Sequence, residues 1–243
     1  MLPKALLLDL DDTLIAFDHG LDLQQCWLEA CNLHLSDTHL EVIPTLVEAI
    51  QRQARWHWSD AERHRVGRLQ LPEARRQIIT EALRQSGILK TPETALQIAR
   101  SYGKLRDELI TLHPGAVDTL ITARSFGLRL ALLTNGASEP QWGKINRFRL
   151  AQYFDQIIVE EDFGIGKPEP AVYKHALELL DVRAEDAWMV GDNYEWEIAA
   201  PAKLGIRGIW INPAGKSSPA GIQPYLTLRT IEELKHELTR RID

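Results

Sequence analysis

The chain has 243 residues, of which 44% are hydrophobic and 26% charged, and its net charge is -6. Such a composition suits a soluble globular protein with a sizeable core, and its mild acidity excludes a general field for binding a nucleic acid polymer. Any anionic ligand must therefore be held by local groups.

The opening run Ala5 to Leu8 is too short for a membrane span or a signal segment and leads straight into acidic residues. Ala5 to Leu10 reads as a buried strand of a parallel sheet, because a strand covered on both faces is apolar without alternation. Cys26 and Cys31, the two cysteines, fall in an apolar helical stretch. They read as small core residues and fit a reducing, cytoplasmic setting.

From about Leu21 to Ile110 the pattern is helical. Pro44 suits the first turn of a helix with Leu46, Val47 and Ile50 on one face. Pro72 opens another, which Gly87 would end. Thr91-Pro92 starts a further one, with Ile98, Tyr102, Leu105 and Leu109 at helical spacing. This block reads as a small helical bundle.

Past His113-Pro114-Gly115 strands and helices alternate. A helix over Ala116 to Ser125 is closed by Gly127, then come a strand at Leu128 to Leu133 and a helix around Trp142 to Phe148. Strand Ile157 to Val159, helix Ala171 to Leu180, strand Ala187 to Val190, helix Glu195 to Lys203, strand Gly208 to Ile211 and a helix from Ile231 follow. This order predicts an α/β fold: a Rossmann-like parallel sheet core with helices on both faces. The core is expected to comprise residues 1–17 and 112–243, and the helical bundle residues 18–111, joined near Ala16 to Gly20 and Leu112 to Gly115.

In such sheets the ligand crevice lies beyond the carboxyl ends of the strands. Four polar clusters fall there. Asp9-Leu10-Asp11-Asp12-Thr13-Leu14 offers two carboxylates able to act as nucleophile, proton shuttle or metal ligand, or simply an acidic turn. Thr134-Asn135-Gly136 offers a hydroxyl, an amide and backbone N–H groups to a phosphate, or an ordinary helix cap. Lys167, kept out of a helix interior by Pro168, can project into the crevice and balance carboxylates, or stay solvated. Asp192 ends another strand with Glu197 one helical turn beyond, a hard-oxygen pair suited to Mg²⁺, or a capped helix start.

Asp9-x-Asp11-x-Thr13-Leu14, Thr134-Asn135, Lys167-Pro168 and Gly191-Asp192 with a downstream acid resemble, in order and spacing, the four motifs of the haloacid dehalogenase-like superfamily. The helical block between the first two resembles the family's cap domain. The chain looks most like capped phosphoglycolate phosphatases, pyrimidine 5′-nucleotidases and N-acylneuraminate-9-phosphatases. The resemblance implies a Mg²⁺-dependent phosphomonoesterase acting on a small phosphorylated metabolite. Asp9 would form an aspartyl-phosphate, and Asp11 would protonate the leaving oxygen and then activate water. Thr134, Asn135 and Lys167 would bind the phosphoryl oxygens. Asp9, the Asp11 backbone carbonyl, Asp192 and Glu197 would serve the metal, Glu197 standing where the family usually carries Asp. A phosphomutase, a 2-haloacid dehalogenase and a non-catalytic binding protein are the alternatives.

Other signals are weaker. Gly215-Lys216-Ser217 lacks the first glycine of a P-loop, since Trp210 stands there. His57 and His64 read as surface or packing residues, and Arg63, Arg65, Arg68, Arg75 and Arg76 as a solvated helix face from which one arginine could reach a substrate anion. Trp27, Trp56 and Trp58 are candidates for the bundle's core or its ligand pocket.

Overall fold

The computed structural model describes residues 2–18, 20–35, 37–219 and 221–242, without the side chains of 37–39. Contacts divide the chain into two units, Met1–His19 with Thr111–Asp243, and Gly20–Ile110. His19, in the first expected connection, lies outside the described residues.

In the first unit β1 (Ala5–Leu8) is followed by the two-residue β2 (Ile15–Ala16). The second unit then supplies α1 (Leu23–His34), α2 (Ile43–Trp58), α3 (Ala61–Gly67), α4 (Leu71–Gln85) and α5 (Pro92–Leu109). The chain returns through β3 (Thr111–Leu112), α6 (Ala116–Ser125), β4 (Arg129–Thr134), α7 (Ser138–Arg147) and β5 (Gln156–Val159). It continues through α8 (Glu160–Phe163), α9 (Pro170–Leu180), β6 (Ala187–Gly191), a π-helical turn at Tyr194–Ala199 and α10 (Ala200–Ala202). It closes with β7 (Arg207–Ile211), β8 (Leu226–Leu228) and α11 (Ile231–Arg240).

Six strands form one sheet in the order β5-β4-β1-β6-β7-β8. Every pairing in it is parallel. The chain winds from β1 outward through β4 and β5, then crosses to β6 on the other side. The reversal of direction is at β1, which opens a crevice at its carboxyl end. Ala5, Leu7, Ala131, Leu133, Ala187 and Met189 pack on one face with Val172, Tyr173, Ala176 and Leu177 of α9. Leu6, Leu8, Leu130, Leu132, Trp188 and Val190 are fully buried on the other, and Trp188 lies under the guanidinium of Arg241 just past α11. Each such leucine contributes about 1.5–3 kcal/mol by leaving water, which is why these strands read as plain apolar runs.

The second unit is a bundle with its own core of Cys26, Trp27, Cys31, Leu46, Ile50, Ile79, Leu83, Ile98 and Tyr102, among others. Trp27 stacks on Tyr102 with ring centroids 3.5 Å apart, so it is a core residue. Trp58 packs at the edge of that core, whereas Trp56 is exposed and carries Arg63 over its ring at 3.9 Å. His57 is buried and burial lowers its pKa, which keeps it neutral.

Several elements differ from the sequence expectation. β2 and β3 pair antiparallel, Ile15 with Leu112 and Ala16 with Thr111; two residues are too few to show a period. β8, with three residues, and α3, with seven, are also short. α7 begins at Ser138, well before Trp142, because Pro140 is tolerated in a first turn where its missing N–H has no partner to lose. The expected helix Glu195 to Lys203 is a π-helical turn running into α10, with Pro201 at its start. Among the described residues no helix is long and apolar enough to cross a membrane.

Candidate active site

The crevice is built on three adjacent strand ends. Asp9 follows β1 directly, and its N–H still donates to Val190 O at 3.0 Å, so the sheet ladder fixes its backbone. Thr134 ends β4, and Asp192 follows β6. The side chain of Thr13, fully buried, donates to Asp9 Oδ2 at 3.2 Å. Asp12 takes a left-handed backbone with φ of 57°, which a short polar side chain tolerates. Its carboxylate accepts from the N–H groups of Phe17 and Asp18. Asp12 therefore shapes the turn, while Asp9 and Asp11 are the carboxylates of this segment offered to chemistry.

Lys167 reaches the crevice from the loop before α9. Its Nζ donates to Asp9 Oδ1 at 2.6 Å and to Glu197 Oε1 at 2.8 Å. The lysine is 1% exposed, so this is a buried ammonium bridging two buried carboxylates and not a solvated loop lysine. Asn135 grips the same loop reciprocally: its Nδ2 donates to Lys167 O at 2.7 Å and its Oδ1 accepts from Lys167 N–H at 2.8 Å. Asn135 is thus committed to holding the lysine's backbone. The buried Glu160 accepts from Gly136 N–H at 2.8 Å and closes the other side.

Two glycines let these groups meet. A Cβ on Gly166 would lie 2.5 Å from the Glu160 carboxyl carbon and 2.6 Å from Asn135 Oδ1. A Cβ on Gly191 would lie 2.2 Å from Glu197 Cγ and 3.1 Å from Asp9 Cβ. Glu197 has its second oxygen on Asn193 N–H at 2.8 Å, so both are taken by the protein. Asn193 caps the π-helical turn, its Oδ1 accepting from Glu195 and Trp196 N–H. Capping by Asn193 leaves Asp192 to the crevice.

The carboxyls of Asp9 and Glu197 share the buried Lys167 ammonium, and Asp192 lies near both. Burial raises the pKa of Asp9, with Lys167 pulling the other way. Glu197 is raised to about 7, by burial first and by Asp9 next, against the pull of Lys167. Asp192 is pushed up to about 9 by burial, then by Asp9, Glu197 and Asp12. Burial disfavours the Lys167 ammonium, but Asp9 and Glu197 outweigh this and hold it protonated. Among the described residues no group of three or more His, Cys, Asp or Glu is arranged to hold a metal by itself.

The pattern of the family described as "Hydrolase: haloacid dehalogenase-like hydrolase" matches residues 3–205, which span the whole site. The chain belongs to the haloacid dehalogenase-like hydrolases. It is an enzyme of that family. A phosphoserine phosphatase of Thermus thermophilus is 31% identical over 248 residues, covering 95% of this chain and 97% of that one. A structure of Bacillus subtilis YfnB bound to magnesium covers 98% of this chain and 99% of its own at 23% identity and a TM-score of 0.71, a likeness of fold. A 2-haloacid dehalogenase of Pseudomonas syringae pv. Tomato is 27% identical over the full length of both chains, with a TM-score of 0.61.

In this family member the structure gathers Asp9, Thr134, Asn135, Lys167, Asp192 and Glu197 at one sheet edge. It also brings in two residues that sequence reasoning missed. Lys144 Nζ lies 2.7 and 2.8 Å from the two oxygens of Asp11. Gln141 Nε2 lies 2.6 Å from Thr134 Oγ1 and 3.1 Å from Asp11 Oδ2. Their three-residue spacing in a helix that starts at the Thr134-Asn135-Gly136 turn was the available signal.

Proposed function

We propose that this hydrolase is a Mg²⁺-dependent phosphomonoesterase acting on a small phosphorylated metabolite, with Asp9 as nucleophile and Asp11 as acid and base. The observation that carries the reading is the pair of carboxylates two residues apart, each on its own lysine: Asp9 on Lys167 at 2.6 Å and Asp11 on Lys144 at 2.7 Å. Of the two relatives matched over their whole length, the one more alike in sequence is a phosphatase, at 31% identity against 27% for the 2-haloacid dehalogenase, and the resemblance implies that 2-haloacid dehalogenases lack a carboxylate at the position of Asp11.

The donor set fits Mg²⁺. Burial raises the carboxyls of Asp9, Asp192 and Glu197, and Asp9 in turn raises the other two, so a cation bound among them would favour their charged forms. Mg²⁺ is commonly bound by one or two carboxylates, water and substrate phosphate and not by an all-protein cage. Asp9, Asp192 and the Asp11 backbone carbonyl would hold it, and when bound it supplies positive charge that lets an anionic phosphoryl group approach a carboxylate. Glu197 serves the same centre by holding Lys167.

The residues divide the reaction as follows. Thr134 and Lys167 hold phosphoryl oxygens, with Asn135 fixing the lysine's backbone. Asp9 forms a bond to phosphorus as the bond to the leaving oxygen breaks, and Asp11 gives that oxygen a proton. A water then attacks phosphorus, returning a proton to Asp11 and freeing Asp9. Residues 18–111 act as the cap that selects the leaving group, a role supported by their place between the first two motifs. A cytoplasmic setting belongs to the same reading, in keeping with two free, buried cysteines.

The test is turnover of an aryl phosphate and of a panel of phosphorylated metabolites by purified protein. Hydrolysis should need Mg²⁺, stop with chelator and be abolished in Asp9→Asn, which keeps the shape but not the nucleophile. Undiminished turnover in Asp9→Asn would overturn the assignment.

A further inference from the structure

The buried face of α7 carries two polar side chains where a helix against a sheet normally carries apolar ones. Gln141 is 3% and Lys144 9% exposed. Three residues apart on one helix, they are neighbours on one face. A lysine is rarely buried unless paired, because its ammonium loses its water. Here the pairing is two-pronged: Nζ reaches both oxygens of Asp11, at 2.7 and 2.8 Å. The ring of Phe17 adds a face 4.1 Å from the same Nζ. Gln141 Nε2 ties Asp11 Oδ2 to Thr134 Oγ1, and lies within reach of Asn135 O as well.

Of the three lysine-paired carboxylates in the crevice Asp11 is the most exposed, its side chain 22% exposed against 10% for Asp9 and 0% for Glu197. Its backbone lies past the end of β1, where it bridges to Ile15 outside the named strands. Left to itself, such a side chain would sample several rotamers at the crevice mouth. We propose that Lys144, seconded by Gln141, is a positioning residue for Asp11. It clamps the carboxylate towards the end of β4, beside Thr134, so that proton exchange with the leaving oxygen and then with water starts from one fixed place. The consequence for catalysis rests on the phosphomonoesterase reading; the clamp itself does not. Lys144 positions and does not exchange: the transferred proton passes between Asp11 and the reacting oxygens alone.

The test is a double-mutant cycle of Lys144→Met and Asp11→Asn, read as kcat and KM on an alkyl and an aryl phosphate. Misplacing a reacting group by about an ångström can cost on the order of a hundredfold. Lys144→Met should therefore lower kcat on the alkyl ester by roughly ten- to a hundredfold, with KM little changed and a smaller loss on the aryl ester, which needs less proton help. In the Asp11→Asn background Lys144→Met should cost nothing more. Lys144→Arg, which keeps the charge, should recover most of the rate. An equal loss in the Asp11→Asn background would show Lys144 acting on substrate and would overturn the proposal, as would no loss in wild type.

A second readout needs no turnover. In metal-free, substrate-free protein the Asp11 carboxyl ¹³C signal should move on Lys144→Met, and an unmoved signal refutes the clamp. If wild type hydrolyses no phosphoester, the phosphatase reading falls and this signal alone decides the clamp. Should Lys144→Met fail to fold, Lys144→Gln, which keeps a donor of shorter reach, replaces it in both measurements.

Discussion

Lys167→Met removes the one ammonium that Asp9 and Glu197 share. The pair oxygens lie 2.6 and 2.8 Å from Nζ, and the side chains are 1%, 10% and 0% exposed for Lys167, Asp9 and Glu197. Water cannot replace the lost partner at that burial. Breaking a buried ion pair from one side costs about 3–5 kcal/mol, and a domain of this size loses roughly 2–4 °C of Tm per kcal/mol. A fall of roughly 6–20 °C is therefore expected for metal-free protein at pH 8. The deficit should shrink at pH 5.5. Glu197 is already raised to about 7 with the lysine present, and the lysine is what pulls it down. Without it, the carboxyl is neutral in the folded state at pH 5.5 and no bare charge remains there. Thermal unfolding of both proteins at the two pH values decides the matter. A Tm at pH 8 within about 2 °C of wild type, or a deficit equal at both, would refute the view that this lysine neutralises buried charge.

Three more outcomes follow from the same geometry. In metal-free wild type, Glu197 is raised from 4.5 to about 7, so between those values the folded state keeps a proton the unfolded state has released. Its contribution therefore falls as pH rises through that window, by about 1.4 kcal/mol per unit at most. Mg²⁺ should raise Tm more at pH 8 than at pH 5.5, and equal shifts in thermal scans would contradict this. Gly191→Ala, whose methyl would lie 2.2 Å from Glu197 Cγ, must displace that side chain and should cost about 1–3 kcal/mol together with most activity; an unchanged Tm would count against the packing described. Arg65 is exposed and forked onto Glu62 at 2.6 and 2.9 Å, so Arg65→Ala should leave Tm and kcat/KM on acidic and neutral phosphoesters alike within error, and a selective rise in KM for an acidic ester would instead assign it to substrate.

The sheet's strands other than β8 could be read from sequence because burial on both faces leaves their interiors apolar, and the chemistry begins where the apolar run stops. Asp9, Thr134 and Asp192 share this signature. Lys167 was legible as a lysine that Pro168 keeps out of a helix and that could balance carboxylates or stay solvated; its burial depends on Asp9 and Glu197, far away in the chain. Lys144 shows the limit more sharply. Ser138 to Arg147 is mostly polar, with Trp142 and Ile145 its apolar residues, and the spacing of Gln141 and Lys144 does not by itself say that the lysine turns inward to meet a carboxylate 133 residues earlier. Whether Asp192 faces the crevice or caps a helix was likewise open locally; in the structure it is Asn193 whose oxygen meets the N–H groups of Glu195 and Trp196.

The ribbon of β2 and β3 has a consequence for how this architecture can change over generations. Because Ala16 sits against Thr111, the core experiences everything between them as a loop tied off at its base. Closing such a loop costs only about 0.6 kcal/mol more for each doubling of its length. The sheet and its carboxylates are therefore nearly indifferent to what the loop contains. Helices can be added, exchanged or pared back to a tight turn there without altering strand order or register, so selection can rewrite the inserted unit while the crevice at the strand ends stays as it is.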